Sequence, residues 1–366
     1  MSERFMRRAL ELAELGVGRT SPNPPVGAVV VRGQAIVGEG YHRRAGEPHA
    51  ERIALAHAGA AARGADIFVS LEPCCHHGRT PPCTDAIIAA GVARVFFAAP
   101  DPDPRCAGGG EVALRAAGIE VHGGLLRAEA QRLLEAYTKH RRTGRPFVTL
   151  KLALSLDGRI ATRSGDTRWI SCEQSRRLVH RMRDRADAIM VGVGTVLADD
   201  PALTTRGVPG GRDALRVICD SAARTAPTAR VVAGTSAAGC LIAVTAEAAP
   251  ERVEALRAAG AQVLVLPGGE GKVDLCALMA ALGGRGVLSV LLEGGATLAW
   301  GALATGIVDK VAFFFAPIII GGKDAVPAVA GSGIERIAEA LALRQVTATR
   351  VGRDLLVEGY VGDAGS

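Results

Sequence analysis

The sequence predicts an α/β fold arranged in two domains. Three observations lead there. Apolar strand-like runs alternate with helical stretches along most of the chain, the pattern of a largely parallel sheet. The length of 366 residues is too great for one ordinary core and suits two. A polar, turn-prone stretch, Arg141-Arg142-Thr143-Gly144-Arg145-Pro146, interrupts the alternation. The boundary is placed there, giving domains 1–144 and 145–366.

In the first domain an amphipathic helix near the start leads to a hairpin of strands at 26–31 and 35–40. A helix is expected at 49–59, a strand at 66–71, a helix at 83–90, strands at 92–98 and 119–122, and one helix over 127–140. In the second domain strands are expected at 147–154, 188–193, 215–220, 241–245, 262–266, 287–292 and 308–315. Helices are expected at 173–185, 251–259 and 273–281. The end, 343–361, alternates around Gly352-Arg353-Asp354 as a closing hairpin, which makes the sheet mixed.

Composition narrows the function classes. Hydrophobic residues make up 48% and charged residues 22%, a globular balance without a disordered signature. The net charge of +6 is spread along the chain and aromatics are only 4%, so no basic stripe with stacking rings marks a nucleic-acid binder. A small phosphorylated anion needs only a few arginines. The start has neither a signal-peptide core nor a cleavage site, and the apolar run 311–320 is too short to span a bilayer, so a cytoplasmic protein is expected. Without an export signal, the eight cysteines do not suggest a disulfide framework. Cys106, Cys172, Cys219, Cys240 and Cys276 read as small core residues, whereas Cys74, Cys75 and Cys83 cluster.

That cluster carries the sharpest signal. His49-Ala50-Glu51 is followed by Pro73-Cys74 and then Cys83. Catalytic zinc takes three protein ligands and keeps a position open for water, whose pKa it lowers. One imidazole and two thiolates supply such a set, with Glu51 two residues beyond His49 to shuttle protons. Cys83 opens an expected helix, and a helix N-terminus favours a thiolate. Zinc deaminases of nucleobases carry this H-x-E…P-C signature, usually with two residues between the cysteines. Here eight intervene, Cys75 to Pro82. A structural zinc knot of Cys74, Cys75, His76 or His77, and Cys83 is the bland alternative, but it would need neither His49 nor Glu51. Cys75 reads as a bystander.

The second domain signals more weakly. Gly192-Val193-Gly194-Thr195 and Glu293-Gly294-Gly295-Ala296-Thr297 each follow a strand, where backbone amides can approach a phosphate. Neither is the G-x-G-x-x-G fingerprint, since position 197 is Leu. Two such turns at strand ends of one sheet suggest a shared cofactor crevice.

The stretches Pro22-Asn23-Pro24, Gly38-Glu39-Gly40-Tyr41-His42, Gly46-Glu47-Pro48-His49-Ala50-Glu51 and Leu71-Glu72-Pro73-Cys74, with His77-Gly78-Arg79-Thr80-Pro81-Pro82-Cys83, closely resemble the bifunctional riboflavin-biosynthesis family that joins a pyrimidine deaminase to a reductase. In the second half Lys151-Leu152-Ala153-Leu154-Ser155-Leu156-Asp157-Gly158, Trp169-Ile170, Thr195 to Pro201 and Leu292 to Gly295 resemble its reductase portion. The resemblance implies a cytidine-deaminase-like three-layer αβα domain followed by a dihydrofolate-reductase-like α/β domain. It implies Zn2+ at His49, Cys74 and Cys83 with Glu51 catalytic, and deaminase substrate contacts at Asn23, His76, Arg79 and Asp101. For the reductase it implies NADPH contacts at Ala153, Trp169, Thr195, Asp199, Ser221 and the turn from Gly295. Substrate contacts there fall at Thr167, Arg183, Leu203, Arg206 and Glu293, with Lys151 as proton donor or orienting group. The implied substrate is a small phosphorylated pyrimidine, with neither nucleic acid nor membrane as partner. Apolar strands such as 311–315 suit a homo-oligomer, a dimer being one form it could take. Pro25 stands where an Asn is common, and Asp103 and Cys106 interrupt the usual D-P-N-P-x-V-A-G run; both departures are expected to perturb loops.

Overall fold

A computed structural model describes residues 2–76, 81–234, 236–269 and 271–362. The chain divides into two compact units, Met1–Gly144 and Arg145–Ser366.

The first unit is built on a five-stranded sheet in the spatial order Ala35–Tyr41, Gly27–Arg32, Asp66–Leu71, Arg94–Ala99, Glu120–Gly123. The first three strands run antiparallel to their neighbours and the last three run parallel. Helices cover both faces, and glycines set how closely. A Cβ on Gly27 would lie 2.1 Å from the Ala9 carbonyl of helix Ser2–Glu14. On Gly38 it would lie 2.2 Å from the Ala54 carbonyl of helix Ala50–Ala58, and on Gly40 2.6 Å from that of Ala50. Gly40 pairs with Ala28, the neighbour of Gly27, so the two helices approach opposite faces. This gives the three-layer αβα arrangement.

Two elements differ from the sequence expectation. The helix expected over 127–140 is two, Arg127–Leu133 and Glu135–Thr143, because Leu134 (φ −98°, ψ 7°) leaves the helical region. A helix at Gly109–Ala116 was not expected, since paired glycines in a first turn read as loop.

The second unit holds a nine-stranded sheet. Its spatial order is Gln262–Leu266, Cys240–Thr245, Leu215–Cys219, Ala188–Gly192, Ser289–Glu293, Phe147–Ser155, Lys310–Ala316, Asp354–Val361 and Leu343–Val351. The first seven run parallel and the terminal hairpin antiparallel. Alternate residues of the inner strands feed opposite cores. Val148, Leu150, Met190 and Val217 pack with Leu278, Met279 and Leu282 of helix Leu275–Gly284. Ile189, Val191, Ile218 and Ile242 pack with Val253 and Leu256 of helix Pro250–Ala258. Strands buried on both faces explain the near-continuous apolar runs.

Helix Glu173–Arg185 has no side-chain cap of its own. Buried Asp354, arriving from the last strand, accepts the Cys172 amide at 2.7 Å and the Ser175 hydroxyl at 2.6 Å. Replacing Asp354 by Ala should therefore lower the stability of the second unit by about 1–3 kcal/mol. Both tryptophans, Trp169 and Trp300, lie in this unit, so their fluorescence during urea unfolding reads the effect directly. An unchanged midpoint would refute the capping role.

Candidate active sites

The close approach of helix Ala50–Ala58 to the glycine-bearing strand places His49 at the helix mouth, in extended conformation (φ −71°, ψ 161°). Cys74 follows strand Asp66–Leu71, and Cys83 begins helix Cys83–Ala90. The Cys74 carbonyl accepts the amides of Cys83 (3.1 Å) and Thr84 (3.2 Å), which ties Cys74 to the start of that helix. One ligand atom from each of His49, Cys74 and Cys83 then lies within 4.8 Å of the others. His49 Nδ1 is 3.3 Å from the Cys83 sulfur and 3.6 Å from that of Cys74.

The electrostatics of this cluster fit a dication. The hydrogen bond from Cys83, with His49 beside it, pulls the Cys74 thiol down to about 4. The same shared proton, together with burial, pushes Cys83 above the usual thiol value. Two sulfurs this close cannot both ionise without a cation between them. An imidazole and two thiolates are the donor set of a catalytic zinc site. Glu51, in the first turn of its helix, is 3% exposed. Burial, and then the charge of Cys74, push its carboxyl up, and it also meets the Cys83 thiol.

The other first-unit residues surround this centre unevenly. The Asn23 amide nitrogen lies 3.0 Å from His42 Nε2, and His42 Nδ1 lies 3.2 Å from the Pro48 carbonyl. The carbonyl can only accept, so Nδ1 carries the proton and Nε2 accepts from Asn23. Burial lowers the His42 pKa, consistent with this neutral tautomer, and its ring stands edge-on to His49 with centroids 5.1 Å apart. Asp101 is buried; its carboxylate accepts the Asp103 amide (2.9 Å) and the Tyr137 hydroxyl (3.2 Å). His76 faces Cys106, with Nδ1 3.1 Å from the sulfur, so Cys106 is more than a core filler. Asp103 pairs with Arg105 at 2.6 Å. Pro25 is buried beside the first-unit hairpin. Arg79 and His77 lie outside the described residues. Of the cysteines expected in the core, Cys106 and Cys240 are buried, whereas Cys172, Cys219 and Cys276 are only partly so.

In the second unit, parallel strands set Glu293 beside Lys151. Arg183, from helix Glu173–Arg185, donates to the Glu293 carboxylate through Nε (2.6 Å) and Nη2 (2.9 Å). The Lys151 ammonium lies 3.7 Å from it. Burial would raise the Glu293 pKa, but Arg183 and Lys151 outweigh it and hold the group down at about 2; burial lowers that of Lys151. Arg183 is thus largely committed to Glu293 and to the Thr204 carbonyl (3.2 Å). Arg206 is exposed, its amide donating to His180 Nδ1 at 3.2 Å. Leu203 is buried with φ +52°.

The cofactor residues separate similarly. Gly294 and Gly295, with φ of +61° and +76°, turn the chain after strand Ser289–Glu293 directly against the Thr195 hydroxyl. Thr167 donates to Asp199 at 3.4 Å. Trp169 is 65% exposed, with the Arg176 guanidinium over its ring at 4.6 Å. Ala153 packs beside a small cluster around Phe314. The Ser221 hydroxyl accepts the Val273 amide at 3.0 Å. His42, Glu72, Tyr137 and His180 shape the sites without having been singled out from sequence. Only His42 and Glu72 lay in the quoted motifs, and their partners are remote in the chain.

A three-layer domain with a His-Cys-Cys cluster and buried glutamate, joined to a doubly covered mixed-sheet domain, defines a deaminase-type enzyme fused to a reductase-type one. Comparison with known proteins agrees. Residues 1–99 match the cytidine and deoxycytidylate deaminase zinc-binding region, and residues 146–357 match the RibD C-terminal domain. The riboflavin biosynthesis protein RibD of Escherichia coli K12 is 43% identical over 365 residues, covering 96% of this chain and 97% of its own. That of Actinobacillus pleuropneumoniae is 42% identical, covering 98% and 94%. The solved structure of Acinetobacter baumannii RibD superposes with a TM-score of 0.88 at 35% identity over 99% of both chains. A Thermotoga maritima diaminohydroxyphosphoribosylaminopyrimidine deaminase/5-amino-6-(5-phosphoribosylamino)uracil reductase superposes at 0.85 and 36% identity, over 98% of both. The chain belongs to the RibD family of bifunctional riboflavin-biosynthesis enzymes.

The depressed Glu293 carboxyl makes a pH prediction. Its folded pKa lies below the unfolded value, so its stabilising contribution is present above about pH 4.5 and is lost as pH falls toward 2. The loss should be on the order of 3 kcal/mol, and Glu293→Gln should flatten it. Tryptophan-detected urea midpoints at several pH values compare the two proteins; parallel curves would contradict the assignment.

Proposed function

We propose that the first unit hydrolyses the exocyclic ring amine of 2,5-diamino-6-ribosylamino-4(3H)-pyrimidinone 5′-phosphate, releasing ammonia. The second unit then reduces the ribosyl group to ribityl with NADPH, giving 5-amino-6-(5-phosphoribitylamino)uracil. The observation that carries this reading is the convergence of His49, Cys74 and Cys83 beside a buried carboxyl whose pKa is raised. Support for the substrate comes from the Thermotoga maritima relative, named for both activities.

Zinc held by His49, Cys74 and Cys83 would supply a Lewis acid that makes water nucleophilic near neutral pH. Glu51 does the proton work: with its pKa raised by burial it can take a proton from the attacking water, give it to the ring nitrogen, and then carry the proton of the new hydroxyl to the departing amine. Asn23, fixed by His42, and Asp101, fixed by Tyr137, orient the pyrimidine. In the second unit bound NADPH would supply the hydride, and this chain mainly positions the reactants. The turn at Gly294–Gly295, against the Thr195 hydroxyl, offers backbone amides to the cofactor's phosphates, and Lys151 and Glu293 orient the sugar. Exposed Arg206 meets the substrate phosphate. Arg183 serves there chiefly by holding Glu293.

Among the described residues no helix is long and apolar enough to cross a membrane. Self-association into a homodimer is supported by the sheet edge Leu343–Val351. This strand is exposed along nearly its whole length, and Val346 (54% exposed) and Ile337 (91% exposed) leave apolar surface beside it. Such an edge invites pairing with a second chain.

Two measurements test these readings. Glu51→Gln should retain one zinc per chain yet release ammonia at least ~100-fold more slowly; wild-type turnover would overturn the deaminase reading. Val346→Asp should shift the mass in light scattering from dimer toward monomer, and an unchanged mass would remove the edge from the interface.

A further inference from the structure

Glu72 stands two residues before Cys74 and is 3% exposed. Among the described residues its carboxylate accepts from four backbone amides of a segment about thirty to forty positions downstream. Oε2 accepts from Asp101 at 3.3 Å and from Gly108 at 3.1 Å; Oε1 accepts from Gly110 at 3.1 Å and Glu111 at 3.2 Å. A carboxylate has about four acceptor sites, and here each oxygen takes two donors. Gly110 and Glu111 lie in the first turn of helix Gly109–Ala116, which has no cap of its own. A negative charge suits those orphan amides. Asp101 and Gly108 bracket the loop before that helix, so one side chain grips both of its ends. The fit is close: a Cβ on Gly110 would fall 2.1 Å from the Pro73 carbonyl.

The gripped loop bears the Asp101 carboxylate, braced on its other side by Tyr137. The chain leaving Glu72 reaches Cys74 in two residues. We propose that Glu72 is a positioning residue of the deaminase: it fixes the substrate-facing 101–111 segment at a set distance from the Cys74 end of the metal cluster. The inference rests on the deaminase reading given above. It requires a carboxylate, because an amide would turn an NH2 group toward two of the four donors and leave them unsatisfied.

The test is steady-state kinetics of the full-length, zinc-loaded enzyme with the pyrimidine phosphate, on Glu72→Gln and Glu72→Asp, with Glu51→Gln alongside. The Gln variant should keep one zinc per chain and raise the deaminase KM about tenfold, with kcat within about threefold. The Asp variant, which keeps the charge, should fall between it and the wild type. Reductase activity of the same polypeptide, supplied with deaminated substrate, should not change. Wild-type KM in both variants would overturn the proposal. So would loss of zinc, or a fall in kcat at constant KM, either of which would make Glu72 a support of the metal cluster. If Glu51→Gln leaves ammonia release intact, the deaminase reading itself fails; if it stops release while Glu72→Gln keeps its KM, only the positioning role does.

Discussion

The requirement that three soft donors from three separate elements meet within 4.8 Å governs the architecture of the first unit. His49 reaches the meeting point because helix Ala50–Ala58 lies almost in backbone contact with its strand, which only Gly38 and Gly40 permit. Cys74 reaches it from a strand end and Cys83 from a helix start, tied by hydrogen bonds to the Cys74 carbonyl. Side chains at either glycine would push the helix outward and carry His49 away from the sulfurs. Such a constraint is steric before it is electronic. The cluster's pKa pattern, one sulfur low and one high, follows from that proximity.

The two units use buried glutamates in opposite ways. Burial and a neighbouring sulfur charge favour the protonated form of Glu51, and a carboxyl raised in this way is suited to proton exchange. Glu293 is equally buried but faces Arg183 and Lys151, which hold it ionised far below neutrality. It is therefore suited to orientation rather than proton exchange. Hydrolytic deamination needs the first kind of group, and hydride transfer can proceed with the second. The division of chemistry between the domains is visible in these two environments.

Much of this was legible from residue order. The metal cluster was marked by residue types that have little reason to recur at those spacings otherwise. The inner strands of both sheets announced themselves because burial on both faces leaves continuous apolar runs. The residues that escaped notice act through distant partners. Glu72 grips a loop some thirty positions later, Tyr137 braces Asp101 from another helix, and His180 holds the Arg206 amide. The helix at Gly109–Ala116 was hidden for the same reason, since its cap comes from a remote carboxylate while its own first residues are glycines. Arg183 entered as a substrate contact through the resemblance; only the structure shows its guanidinium turned onto Glu293.

X-ray absorption at the zinc edge of the purified protein is the most direct test of the central claim. Two sulfur neighbours near ~2.3 Å and lighter neighbours near ~2.0 Å are expected from one imidazole and one solvent position. Four sulfurs, or no zinc at all in protein that still releases ammonia, would contradict it.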